Sequence, residues 1–261
     1  MNGSQIIARL EQEIPLHFAE SWDNSGLQVG YRDREVRKVY VALDATEEAL
    51  EESILWGADL LLTHHPLLMS GIKKVNEEEF HGRKILRMAE NHLTHYALHT
   101  NFDVCVMGAL CSRYLGFRQT EVLEVTGTDS ENRPVGIGTV GSLSKPMTVR
   151  ECCQLVKEAF HLETVRVFGD PEKLVERAAL CPGSGKSLVG AALKKQAQIY
   201  ITGDIGHHDG IDGVDQGLIV VDAGHFGVEQ VFVPWTEEFL KNEFPELEIL
   251  AQKSAGPFQV L

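Results

Sequence analysis

No stretch of the sequence stays apolar for the length that crosses a bilayer. The N-terminal MNGSQIIARLEQEI carries charges where a signal peptide has an uninterrupted apolar segment. The expectation is a cytoplasmic protein with no membrane partner. Basic residues are in the minority: 24 Lys and Arg against 38 Asp and Glu, a formal net charge of −14. That excess repels phosphate backbones and anionic lipid, which argues against a nucleic-acid partner. A small anionic substrate stays open if metal ions supply local positive charge. Cysteine is sparse and odd in number. Cys105, Cys111, Cys152, Cys153 and Cys181 match neither a zinc knuckle nor a CxxC pair, and are expected to be reduced and buried. No GxSxG or cysteine-protease signature is present. CPGSGKSL misses the phosphate-loop pattern because position 180 is Leu180 rather than glycine. Gly183, Ser184 and Gly185 still lie between a strand and a helix, where backbone N–H groups could meet a phosphate. A tight turn capped by Ser184 or Ser187 is the plainer alternative.

What is present is an ordinary globular balance, 43% hydrophobic and 24% charged over 261 residues, enough for one large domain or two. Ser4 can cap a first helix through about Ile14. WDNSGLQVG is turn-rich, and a strand over Val39–Leu43 ends at Asp44. Thr46 caps a helix that Gly57 stops. A strand over Asp59–Thr63 must end at Pro66, which cannot extend a ladder. A helix near Glu79–Glu90, a strand over His95–Leu98 and a helix from about Gly108 to Leu115 follow. This alternation predicts a parallel sheet with right-handed crossovers. The polar run Thr128–Arg133 places a boundary near residue 128. Beyond it come strands at Pro134–Gly141, Thr164–Phe168, Arg177–Cys181, Ile199–Thr202 and Leu218–Asp222. Helices are expected over Val149–Phe160, Leu188–Lys195 and from Gly224-His225 to about Leu240.

Histidine is the residue that stands out, with 11 copies, several of them paired. LLLTHHP, YALHTNFD and LIVVDAGHFGVE share one design: an apolar strand, then metal-type ligands at its C-terminal end. In open parallel sheets that is where ligands bind. Three such ends on neighbouring strands would gather His64, His65, His99, Asp103, Asp222, His225 and Glu229. His225 and Glu229, four apart, share a helix face and can share an ion. His64 and His65 are adjacent, so each could grip a different ion. An HH pair or an HxxxE alone occurs on ordinary surfaces; the joint occurrence at three strand ends carries the argument. Imidazole with carboxylate suits zinc, iron or manganese. A fourth strand end, IYITGDIGHHDG, carries Asp204, His207, His208 and Asp209, either as a second metal pair or as supporting groups; a solvated loop is the alternative.

Together SWDNSGLQVG, LLLTHHP, LHTNFD, GDIGHHD and DAGHFGVE resemble the NGG-interacting-factor-three-like family, also labelled GTP cyclohydrolase I type 2 homologues. The motifs run in order from Trp22 to Glu229. The resemblance implies a two-lobed α/β protein, each lobe an α/β sheet unit, with residues 1–127 plus 230–261 in the first lobe and 128–229 in the second. It implies a dinuclear metal site in the cleft between lobes and assembly as a homohexamer. Carried over, the ligands of two divalent ions (Zn, Fe or Mn) fall on His64, His65, Asp103, His225 and Glu229. His99 and His208 are candidate proton carriers, and Asp44, Asn101, Asp204 and His207 candidate supporting or substrate-contacting groups. The function expected is metal-dependent hydrolysis of a nucleotide-like small molecule, the label implying GTP. The alternative is a non-catalytic, iron-handling or regulatory metal-binding scaffold.

Overall fold

The computed structural model describes residues 1–253 and 256–258. Asn2 caps α1 (Gly3–Glu13): its side chain accepts from the Ser4 N–H, and the Gln5 side chain reaches back to the cap backbone. Ser4, the expected cap, therefore lies inside the helix, and Ile6, Ile7 and Leu10 form the buried face. β1 (Gly26–Val29) and β2 (Lys38–Ala42) follow. Thr46 caps α2 (Glu47–Trp56) by accepting from the Ala49 N–H, and Gly57 ends it in the left-handed region at φ 76°. Next come β3 (Leu60–Thr63), α3 (Phe80–Glu90) and β4 (Thr94–Ala97). β3 and β4 bury all four of their residues, as strands covered on both faces do. α4 (Thr100–Phe102) widens into a π-helical stretch over Asp103–Met107 and resumes as α5 (Gly108–Tyr114).

β5 (Arg118–Thr128) and β6 (Pro134–Thr148) then pair antiparallel. A Thr148–Glu151 capping box starts α6 (Val149–Phe160). β7 (Arg166–Phe168), β8 (Leu174–Ser184), α7 (Val189–Lys194) and β9 (Ile199–Gly203) lead to α8 (His207–Asp215). The chain continues through β10 (Ile219–Asp222), α9 (His225–Glu229), α10 (Phe232–Glu243) and β11 (Glu248–Ala251). The expected single helix from His225 to Leu240 is thus two helices, α9 and α10, separated at 230–231. The segment after Gly203 is helical from His207 onward, where a loop was one alternative.

The strands form two sheets, and the structure divides into two compact units. The first unit holds residues 1–102 and 232–253; the second holds 103–231 and 256–258. In the first, the strand order is β1-β4-β3-β2-β11, parallel throughout except for β1, which runs antiparallel to β4 at one edge. Tyr40, Leu50, Leu61 and Met88 pack between this sheet and α2 and α3. In the second, the order is β5-β6-β8-β9-β10-β7, with only β8, β9 and β10 parallel. Val140, Ala179, Tyr200 and Val220 centre its core. Residues 103–127, placed by the sequence in the first lobe, fall in the second unit because the π-helical stretch and α5 pack on β6 and β5 pairs with it. The three ligand-bearing strands are likewise not all neighbours. β3 and β4 are adjacent in one sheet, whereas β10 belongs to the other. Residues 254–255 and 259–261 of the expected first lobe lie outside the described residues. Among the described residues, no helix is long and apolar enough to cross a membrane.

Candidate metal centre

In the first unit, three histidines converge where β3 and β4 end. Parallel pairing sets the register: Thr63 lies opposite Ala97, so the residues that follow, His64-His65 and Leu98-His99, emerge at the same sheet edge. Ring centroids are 4.8 Å apart for His64 and His65, 5.3 Å for His64 and His99, and 5.5 Å for His65 and His99. One donor atom from each lies within 4.8 Å of the others.

Each ring is held the same way. His64 Nδ1 lies 2.7 Å from the Leu98 carbonyl, which can only accept, so Nδ1 carries the proton and Nε2 the lone pair. His65 Nδ1 donates to Asp44 Oδ1 at 2.7 Å, and His99 Nδ1 to Asp23 Oδ1 at 2.6 Å. A carboxylate or carbonyl behind the imidazole is the arrangement that orients metal-binding histidines. Asp44, a candidate supporting group, thus stands behind the His65 ring. Asp23, read in the sequence only as part of a turn, was missed; the sole signal was its place in SWDNSGLQVG. Its side chain is fully buried. Burial alone would raise its pKa, but hydrogen bonds from His99, Ser25 and Thr100 outweigh it and hold the carboxyl well below the usual range.

The main chain of His65 is also clamped. Its N–H donates to the Leu43 carbonyl at 3.0 Å, and its carbonyl accepts from Thr63 Oγ1 at 2.7 Å. With the Thr63 proton so used, His95 Nε2, 2.8 Å away, is the donor to Thr63 Oγ1. His95 is fully buried and therefore neutral: burial pushes its pKa down to about 3, with Lys84 adding to the effect. His95 opens the strand expected over His95–Leu98 and was not among the candidate site residues. Asn101 is buried and donates to the Ile14 carbonyl at 3.1 Å, so its amide ties the turn to the end of α1.

The second unit arranges Asp103, Asp204, His225 and Glu229. His225 Nδ1 donates to Asp204 Oδ2 at 2.7 Å, and Nε2 lies 2.9 Å from Glu229 Oε2 across one helical turn. Asp103 begins the π-helical stretch, a local geometry that recurs at functional sites. Gly183 sits against Glu229 at φ 74°; a Cβ there would stand 2.1 Å from Glu229 Oε1. Gly183, in the turn expected to meet a phosphate, therefore packs against the Glu229 carboxylate. Gly185 is packed instead on Thr202 and Tyr200, whose hydroxyl donates to the Gly185 carbonyl at 2.7 Å. Asp222, gathered with the ligands in the sequence analysis, accepts from Arg166 and from the Ile205 and Gly224 N–H groups and so braces the loop after β9. Among the described residues, His207 and His208, in the first turn of α8, join none of the groupings able to hold an ion.

Four of the five cysteines are buried as expected; Cys105 is half-buried. Burial raises the thiol of Cys181 to about 12 and that of Cys111 well above its ordinary value, with the charges of Asp103 and Glu229 adding to both. Burial thus favours the protonated thiol at both positions at neutral pH.

Comparison with known proteins gives one consistent relationship. A clostridial protein named GTP cyclohydrolase 1 type 2 homolog, from Clostridium perfringens, is 35% identical over 266 residues, covering 100% of both chains. A protein of the same name from Streptococcus pneumoniae is 34% identical over 270 residues, covering 99% of each. The crystal structure of a Bacillus cereus protein related to NIF3 superposes with a TM-score of 0.94 at 24% identity, over 100% of this chain and 99% of that one. Reduced HcgD from Methanocaldococcus jannaschii superposes with a TM-score of 0.83 at 28% identity, over 97% and 98%. The family model described as Duf34/NIF3 (NGG1p interacting factor 3) matches residues 1–257, and the chain belongs to that family.

Proposed function

We propose that His64, His65, Asp103, His225 and Glu229 hold two divalent cations per chain, and that the protein is a metal-dependent hydrolase of a nucleotide-like small molecule. The observation that carries this reading is the shared tautomer. Nδ1 of His64, His65 and His225 is in each case committed to a fixed acceptor, which makes Nε2 the ligand atom. The ring of His64 packs on Phe102 and Phe232, with centroids 5.9 and 5.2 Å away. Phe102 is bonded directly to Asp103, and Phe232 follows Glu229 by three residues. Imidazole and carboxylate donors without thiolate suit zinc, iron or manganese.

Bound there, the ions would supply the Lewis acidity that makes a water nucleophilic at neutral pH. The chain's own part is positional. Asp44 and Asp204 orient the rings of His65 and His225, and Gly183 leaves the space that Glu229 occupies. His99, held by Asp23, is the imidazole proposed to carry a proton, with His208 a second candidate from α8. The name borne by the clostridial and streptococcal relatives makes GTP the first substrate to try. Assembly as a homohexamer in the cytoplasm belongs to the same proposal.

The test is elemental analysis of untagged protein combined with a screen of nucleotide hydrolysis. About two ions per chain with GTP or another nucleotide consumed supports the proposal. Two ions without turnover of any nucleotide would make the protein a metal-handling scaffold instead. Replacing His65 or Glu229 by alanine should abolish turnover with the fold intact, and activity surviving loss of the metal would rule the hydrolase out.

A further inference from the structure

An imidazole nitrogen has one lone pair and binds one ion. In the proposed five-residue set, His64 and His65 would serve separate ions. Yet the first unit by itself brings His64, His65 and His99 together, with one donor atom of each inside a 4.8 Å span. Nitrogens that each stand about 2.1 Å from a shared ion can be at most about 4.2 Å apart, so ring movements of under about 1 Å would close this group on a cation.

His99 is outside the five-residue set, but its ring is the most heavily anchored of the three. Asp23 accepts from His99 Nδ1 at 2.6 Å, from the Thr100 N–H at 3.1 Å and from the hydroxyls of Thr100 and Ser25, each at 2.6 Å. The Asp23 side chain has no solvent exposure, whereas that of Asp44, behind His65, is 48% exposed. A buried, charged carboxylate held by several donors is the support a ligating histidine has, and it places a compensating negative charge behind the ring.

We propose that His64, His65 and His99 form a one-ion site lying wholly in the first unit, and that this site takes the first divalent cation, of the zinc, iron or manganese class. Because it uses the same His64 and His65 lone pairs, it is exclusive with the two-ion arrangement. With a second ion bound, His64 and His65 would serve the five-residue set, and His99 would be left to its proton-carrying part. The inference rests on the metal reading above, but its test separates the two.

Metal-stripped full-length protein is titrated with Zn²⁺ by calorimetry, and the single-ion state is repeated with Co²⁺, whose absorption reports four-coordinate nitrogen ligation. Wild type should take up two ions in two resolved steps. The variant His225→Ala with Glu229→Gln should keep one ion, within about threefold of the first-step affinity. Adding His99→Ala to that variant should weaken the remaining ion 100-fold or more; Asp23→Asn, which leaves the ring in place, should weaken it about 10-fold. Circular dichroism of each variant establishes that it is folded. Unchanged affinity on adding both His99→Ala and Asp23→Asn overturns the one-ion site. If wild type binds two ions and the His225→Ala, Glu229→Gln variant none, the one-ion site falls and the two-ion reading stands. One ion in wild type, lost with His99 but not with His225 and Glu229, supports the one-ion site and removes the two-ion reading. No ion in wild type overturns both.

Discussion

His65 shows how much of the chain is spent on one side chain. Asp44 fixes its ring, and Leu43 and Thr63 fix its main chain. His95 stands behind Thr63, and its neutrality has a measurable consequence. In the unfolded chain a histidine binds a proton below about pH 6.5; in the fold His95 does so only near 3. The unfolded state therefore holds the extra proton in between. Its contribution to stability is complete above about pH 6.5 and is lost as pH falls toward 3. The slope is about 1.4 kcal/mol per pH unit. Urea unfolding between about pH 4.5 and 5.5 should show this slope in wild type and a flatter line in His95→Leu; equal slopes would show that His95 is not the group titrating. Gly183 offers a second test at this scale. Alanine there would put its Cβ into Glu229 Oε1 and strain a backbone at φ 74°. We expect Zn²⁺ affinity to fall about 10-fold and stability to fall by about 1–2 kcal/mol, read by calorimetry and thermal melting. A melting change with unaltered zinc affinity would mean that Glu229 is not a ligand.

At the scale of elements, the helix starts follow local chemistry. The Thr148–Glu151 box needs only residues inside a four-residue window, and Thr148→Ala should cost about 1 kcal/mol in a denaturant melt while leaving metal affinity unchanged. β3 and β4 were equally legible, because buried apolar runs closed by HHP or followed by HTN admit few alternatives. β1, β5 and β11 were not. β5, an edge strand among the described residues, exposes most of its eleven residues and shows no alternation that would mark it in the sequence. β11 gains its place only by pairing with β2, where Glu248 lies opposite Lys38 across more than two hundred residues. The break between α9 and α10 carries no glycine or proline at 230–231, and local sequence continues the helix through it.

At the scale of the whole molecule, the chain passes from the first unit to the second at Phe102–Asp103 and back at Val231–Phe232. Proposed ligands therefore sit at one junction, Asp103, and two residues before the other, Glu229. An ion that binds only the folded chain adds stability by mass action. At a free zinc concentration about 100 times the dissociation constant, the loaded protein should be about 2.7 kcal/mol more stable than the stripped one for a single site. Urea midpoints with and without a chelator measure this, and identical midpoints would count against bound metal in the native state.

The sequence by itself determined the family, the Thr46 and Gly57 caps of α2, the ligand-rich strand ends and the identity of the candidate ligands, because each depends on residues within one short segment. It did not determine which strands share a sheet, the boundary between units or the partners of His65, His99 and His225. Those depend on residues brought together from far along the chain: Asp23 reaches His99 across 76 positions, and Asp44 reaches His65 across 21. Burial and hydrogen-bond completion, which are properties of the packed molecule, decided that Asp222 braces a loop, that Gly183 makes room for Glu229 and that Asp23 stands behind His99.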